Sequence, residues 1–151
     1  MTKPIILSVL LWLFIYPLHA QTAAPISFVH IGLDEGLSQS TVFDIAQDKY
    51  DNMWFATYNG LNKYDGYTFT VYQHNEKDPL SLGCDIVRSL KTDDQGRIWV
   101  GTYEGLSLYD SDKECFQNFQ YTKEGKNMPV NKIVTVNGEL LLIYTDEELI
   151  L

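Results

Sequence analysis

The sequence predicts an all-β fold: an incomplete β-propeller with two four-stranded blades, a partial third and an orphan N-terminal closing strand. Three observations predict it. The stretch Asp48-Lys-Tyr-Asp-Asn-Met-Trp54-Phe-Ala-Thr57-Tyr58-Asn-Gly60-Leu61-Asn-Lys-Tyr64-Asp65 returns forty-five residues later as Asp93-Asp-Gln-Gly96-Arg-Ile-Trp99-Val-Gly-Thr102-Tyr103-Glu-Gly105-Leu106-Ser-Leu-Tyr109-Asp110. Aligned without gaps from Ile45 to Asp65, eight of twenty-one positions are identical, and a period in the forties with strand-like content is the mark of propeller blades. Next, Met53-Trp54-Phe55 and Ile98-Trp99-Val100 are apolar at successive positions, which suits a strand covered on both faces, as stacked blades provide. Finally, turn residues recur in place. Asp93-Asp94-Gln95-Gly96 is a tight-turn sequence, with Asn52 read as the first copy's counterpart of Gly96, and Gly60-Leu61 and Gly105-Leu106 mark a second turn.

Taken in order, residues 1–20 read as a signal peptide: Lys3, then an apolar run from Ile5 to Tyr16, then Leu18-His19-Ala20 as the cleavage site before Gln21. The run is shorter than the ~20 residues that span a bilayer. Residues 21–39 hold a polar lead and Ile26-Ser-Phe28-Val-His30-Ile31, read as an orphan outer strand because its counterparts, 67–72 and 115–119, end their units. Residues 40–84 form blade 1 with its connector, and 85–129 form blade 2 with its connector. Their inner strands are placed at 41–45 and 86–90, and the second unit carries two extra residues after Asp110. Residues 130–151 form a partial, degenerate third blade: an inner strand at 131–136, an Asn137-Gly138 hairpin turn, a second strand at Leu140–Tyr144, and the start of a third. A ring closes at ~4–8 blades. The chain therefore reads as a fragment whose first partners are the remaining blades of its own propeller.

A net charge of −9 leaves no basic surface to neutralise phosphates, which excludes nucleic acid as a partner and gives the mature segment no reason to touch an anionic membrane. Export would oxidise thiols, but Cys84 precedes the innermost strand of its unit and Cys115 opens the outermost. That separation exceeds the ~4.4–6.8 Å Cα distance of a bridge, so free thiols are the expectation.

No catalytic residue, metal ligand or cofactor is assigned. His19 leaves with the leader, and neither His30 nor His74 has a Ser, Cys or paired carboxylate at a fitting spacing. Asp48, Asp65, Asp93 and Asp110 recur in register, which points to turn formation. Trp54 and Trp99 are assigned to the packing between blades. Thr57, Thr102, Gly60, Gly105, Gly96, Tyr64 and Tyr109 are assigned as structural positions of the repeat. The candidate ligand contacts are Tyr58, Asn59, Tyr103 and Glu104, on the loops joining second to third strands. Tyrosine faces suit sugar rings, and Asn or Glu can bond hydroxyls, although a tyrosine repeated in both units also fits packing. Arg88 stands where unit one has Phe43, and two readings stay open: it faces the central channel, or it is solvated and ion-paired.

At Asp93…Gly96-Arg-Ile-Trp99-Val-Gly101-Thr102…Gly105-Leu106…Tyr109-Asp110 the chain resembles the two-component regulator propeller repeat. Phe28…His30…Gly36-Leu37-Ser38 also resembles the opening of mature chains in the periplasmic sensor region of Bacteroides-type hybrid two-component sensor histidine kinases. The resemblance covers residues 26–120 well and 130–151 poorly. It implies a periplasmic, carbohydrate-responsive sensing segment with an oligosaccharide ligand and a homodimeric pairing. The histidine kinase of that family lies further downstream, and none of its motifs occurs in these 151 residues. A second reading from another class is a piece of an exported propeller enzyme acting on polysaccharide, a lyase or glycosidase.

Overall fold

The structure is a computed structural model that describes residues 26–120, 122–136, 140–144 and 149–150. The leader assignment at 1–20 and the Asn137-Gly138 turn lie outside the described residues. Two antiparallel four-stranded sheets, each in simple meander order, dominate. The first is β1 (Val42–Gln47), β2 (Met53–Thr57), β3 (Gly60–Tyr64) and β4 (Phe69–Tyr72). The second is β5 (Val87–Thr92), β6 (Ile98–Thr102), β7 (Gly105–Asp110) and β8 (Cys115–Phe119). A small hairpin follows, β9 (Thr122–Lys123) with β10 (Lys126–Asn127), and then a three-stranded sheet of β11 (Lys132–Val136), β12 (Leu140–Tyr144) and β13 (Leu149–Ile150). The two blades keep one register: Tyr64 pairs with Phe69 and Tyr109 with Phe116, so the second blade's extra residues are absorbed in the turn between β7 and β8.

The aspartates make the β1–β2 and β5–β6 turns as the sequence indicates. Asp48 Oδ1 accepts the backbone N–H of Tyr50 and of Asn52, and Asp93 Oδ1 accepts those of Gln95 and Arg97. Each carboxylate also takes an indole: Trp54 Nε1 donates to Asp48 Oδ2 at 2.9 Å and Trp99 Nε1 to Asp93 Oδ2 at 3.0 Å. One assignment is corrected. The left-handed residue matching Gly96 (φ 74°) is Asp51 (φ 66°), one place before Asn52. A short polar side chain tolerates that conformation at either position. Asn52 instead donates its side-chain amide to Asp48.

At the β2–β3 and β6–β7 turns, Thr57 Oγ1 donates to the Gly60 carbonyl (2.8 Å) and Thr102 Oγ1 to that of Gly105 (3.0 Å). Gly60 (φ 96°) and Gly105 (φ 132°) are left-handed, and a Cβ at either would strike a carbonyl at the end of the outer strand, Tyr72 or Phe119.

The main core is the seam between the two blades. Trp54, Ala56 and Leu61 meet Val87, Leu90, Ile98, Val100, Tyr109 and Phe116, with Leu82 entering from the connector. Trp54 is wholly buried, stacked on Tyr72 at 5.8 Å and edge-on to Tyr109 at 4.7 Å. The hydroxyls of Tyr72 and Tyr109 meet at 2.9 Å. A smaller cluster, Leu106, Val130 and Ile133 with a half-buried Trp99, packs β6 and β7 against the third sheet. In β6 the successive apolar residues therefore divide, Ile98 and Val100 to one seam and Trp99 to the other. In β2 the alternation turns half-buried Met53 and Phe55 away from the seam that holds Trp54. Along the inner strands Asp44 Oδ2 accepts the Leu90 N–H at 2.8 Å, and Thr92 Oγ1 donates to the Gln47 carbonyl at 2.7 Å.

The segment up to His30 forms a unit separate from Ile31–Leu151. Its described part, residues 26–30, carries no strand pairing, so the orphan strand read from the sequence is here an unpaired, exposed segment, with Phe28 91% exposed. A strand needs a neighbour to satisfy its backbone. Cys84 is buried, Cys115 half-buried, and both are free thiols.

Candidate ligand face

The inner strands carry a defect at the same place in each blade. Val42 pairs with Thr57 and Asp44 with Ala56, leaving Phe43 as an extra residue. Val87 pairs with Thr102 and Ser89 with Gly101, leaving Arg88 as the extra residue. A bulge bends its strand and re-aims the unpaired side chain. Here it aims each one at the tyrosine of the adjacent two-residue turn. The Phe43 and Tyr58 rings meet edge to face at 4.6 Å, and the Arg88 guanidinium lies 5.6 Å from the centre of the Tyr103 ring. One scaffold thus presents an aromatic pair in blade 1 and a cation–π pair in blade 2. Tyr58 and Tyr103 remain 47% and 49% exposed, so both are available to a ligand. Arg88 is half-buried, and its Nε is buried with no hydrogen-bond partner among the described residues.

Asn59 is committed to the scaffold. Its Nδ2 donates to the Ser38 carbonyl at 3.3 Å and its Oδ1 accepts from Gln73 Nε2 at 2.9 Å, tying the approach to β1 to the end of β4. Glu104 Oε2 accepts a long bond of 3.4 Å from Asn127 Nδ2, which links the β6–β7 turn to the β9–β10 hairpin. The connectors lie on this side too. The Gly60 N–H donates to the Asp85 carbonyl (2.7 Å), the Tyr103 N–H to that of Ile86 (3.0 Å), and the His74 N–H to Asp85 Oδ1 (2.6 Å). His74 Nδ1 stands 2.8 Å from the Leu82 carbonyl, a place that only a protonated ring nitrogen satisfies, so this histidine holds the connector.

One buried polar network escapes the sequence reading. Asn62, fully buried, accepts the Ser38 N–H at 2.8 Å and donates to Ser38 Oγ at 2.8 Å, while Ser38 Oγ meets Thr57 Oγ1 at 3.1 Å. In blade 2 Ser107 takes that place, donating to Asn118 Oδ1 at 2.6 Å and accepting from the Gly83 N–H at 3.4 Å. The signal was present: Leu37-Ser38 and Leu82-Gly83 stand forty-five residues apart, in the period of the longer repeat.

Burial works against the charged forms of Asp48 and Asp93. Hydrogen bonds from the indoles, the backbone and Asn52 or Arg97 outweigh it and hold both below the usual carboxylate range. Among the described residues no three His, Cys, Asp or Glu side chains gather to hold a metal. A cleft of about 800 Å³ lies at the other end of the strands, beside Lys49, Gln95, Arg97, Tyr109 and the turn from Asp110 to Lys113. None of Tyr58, Asn59, Arg88, Tyr103 or Glu104 lines it. Two of its cations are occupied, Arg97 by Asp93 at 2.7 Å and Lys113 by Asp110 at 3.0 Å.

Residues 36–59 and 81–104 each match the model of the two component regulator propeller family. The matched windows run from the Leu37-Ser38 and Leu82-Gly83 approaches to the Tyr58-Asn59 and Tyr103-Glu104 turns. A histidine kinase of Formosa agariphila is 52% identical over 48 residues, 32% of this chain and 4% of that kinase. The extracellular domain of a hybrid two component system from B. thetaiotaomicron is 30% identical, with a TM-score of 0.68 over 76% of this chain and 17% of its own. A second such domain from the same organism shares the fold, at 19% identity and a TM-score of 0.55, over 69% of this chain and 15% of its own. The chain spans less than a fifth of each of these relatives.

Proposed function

Because the chain carries two-component regulator propeller repeats, we propose that it is part of the extracytoplasmic sensing propeller of a hybrid two-component regulator, and that the sensed ligand is a carbohydrate. One observation carries the ligand reading: the repeat places a half-exposed tyrosine, backed by a bulge residue, on the same face of both blades. An aromatic ring with one open face and a fixed back is a stacking platform for a sugar ring, pre-formed as binding sites usually are. The extracellular relatives support a place outside the cytoplasm, and residues 1–20, read as a cleaved leader, fit export to the periplasm. Phosphotransfer belongs to the kinase modules of such regulators, and this segment acts as a binding module that pairs with further blades and with a second copy.

The test is a calorimetric screen of neutral and acidic oligosaccharides against a polypeptide that carries these blades. Binding that falls at least about tenfold in Tyr58→Ala, the scale of a lost contact of 1.4 kcal/mol, is the expected result, with the unfolding midpoint nearly unchanged. Absence of binding by any saccharide would overturn the carbohydrate reading.

A further inference from the structure

We propose that the outer edge of blade 1, strand β4, is the surface on which a second copy of this chain docks, β4 against β4 in antiparallel pairing about a two-fold axis at Thr70. The proposal rests on the pairing with a second copy stated above and adds the surface.

The two blades differ at their outer edges. In blade 2 the chain's own connector closes the edge. Phe116, which pairs with Tyr109 inside the sheet, turns its N–H outward to the Leu80 carbonyl at 2.8 Å, and Asn118 Nδ2 donates to the carbonyls of Pro79 (3.4 Å) and Ser81 (2.9 Å). In blade 1 Phe69 holds the place of Phe116 and Val71 that of Asn118, since Phe69 pairs with Tyr64 and Val71 with Asn62. Valine has no donor with which to clamp a passing chain. The approach to blade 1, forty-five residues before the connector, is wound into a 3-10 turn at Leu33–Glu35 that takes up the carbonyls of Gly32 and Leu33. The outward N–H groups of Phe69 and Val71 therefore have no partner among the described residues.

A second observation is what this edge carries. Native sheets blunt an open edge with Lys, Pro or a bulge, whereas β4 is Phe-Thr-Val-Tyr in unbroken register with β3. Thr70 and Val71 are exposed, and Tyr67 just before the strand is almost bare. Charge names the occupant. No acidic residue, lysine or arginine stands between Asp65 and Glu76, in a chain of net charge −9. Two copies repel each other across acidic surfaces, and this strip lets them approach without setting like charges together. The register is also self-complementary. With Thr70 facing its counterpart across the axis, Phe69 of each copy faces Val71 of the other, so both outward residues gain N–H and C=O partners at once. Strand addition of this kind draws its bonds from the backbone, and an isologous contact closes at two copies.

Sedimentation of the longest polypeptide that carries this chain tests it through substitutions at Thr70. The parent should be a dimer. Thr70→Lys sets two ammonium groups opposite each other and Thr70→Glu two carboxylates, so each alone should sediment as a monomer. An equimolar mixture of the two should recover the dimer, a rescue that a folding defect would not show. Thr70→Cys should cross-link the copies on mild oxidation. Residues facing each other in a non-hydrogen-bonded pair stand ~4.5 Å apart, within the ~4.4–6.8 Å that a disulfide bridges. Thr68→Cys, two places off the axis, should not cross-link. A parent dimer that is unchanged by Thr70→Lys and not cross-linked through Thr70→Cys overturns the β4 edge and leaves the pairing of copies intact. A monomeric parent overturns both.

Discussion

Asp48 and Asp93 are each bonded to two backbone amides and to an indole six residues on. A side chain adds a fourth donor, Asn52 Nδ2 to Asp48 and Arg97 Nε to Asp93. Removing such a carboxylate leaves four donors short of an acceptor, so Asp93→Ala should cost about 1–3 kcal/mol in urea unfolding, against almost nothing for the exposed neighbour Asp94→Ala. The sign of the pH effect follows from the depressed values in the folded state. The unfolded chain takes up protons first as pH falls, so the contribution is full above the ordinary carboxylate range, near ~3.9, and disappears as pH drops through the lower folded value. An acid titration of stability should therefore be shallower in Asp93→Asn than in the parent. The sequence shows these aspartates as turn formers, because repetition and tight-turn composition are local signals. The indole partner is invisible to it, since a contact six residues along belongs to no strand or helix period. The choice of Asn52 over Asp51 failed for a related reason: residue preference favours Asn, whereas the gapless register with Gly96 selects Asp51.

The strands themselves were legible, down to the unequal length of the turn between the third and fourth. Two properties of the elements were not. Trp54 and Trp99 occupy equivalent places, yet the first is sealed in a two-blade seam and the second is half-covered by the third sheet. Burial is set by what stacks alongside, and the repeat itself carries no record of that. Trp54→Ala should accordingly cost ~3–5 kcal/mol, and Trp99→Ala clearly less, when their urea midpoints are compared. The bulge at Phe43 and Arg88 was hidden too, because an extra residue exists only relative to a partner strand. Once seen, it accounts for where the Arg88 side chain lies, against the ring of Tyr103. At the neighbouring turns, Gly105→Ala would force a Cβ against the Phe119 carbonyl in a left-handed backbone. A loss of more than about 1 kcal/mol is expected there, read as a lowered midpoint with an unchanged urea slope.

At the scale of the molecule, the seam between the blades holds most of the buried apolar side chains among the described residues, while Ile26, Phe28 and Val29 are almost bare. Unpaired apolar segments recruit other chains, so residues 21–151 alone should self-associate in light scattering. A monodisperse monomer with a sharp urea transition would contradict that. The same seam contains the Tyr72 and Tyr109 hydroxyl pair. Burial pushes both phenols above their ordinary range, and each also lies near the charge of Glu114. Alkali thereby becomes a wedge between blades. The seam keeps its full strength while free phenols stay neutral and loses it as rising pH favours the unfolded, ionised tyrosines. In a spectrophotometric titration, the Tyr72 and Tyr109 phenols should ionise only together with the loss of Trp54 fluorescence anisotropy, so that a colour change from this pair reports the parting of two sheets.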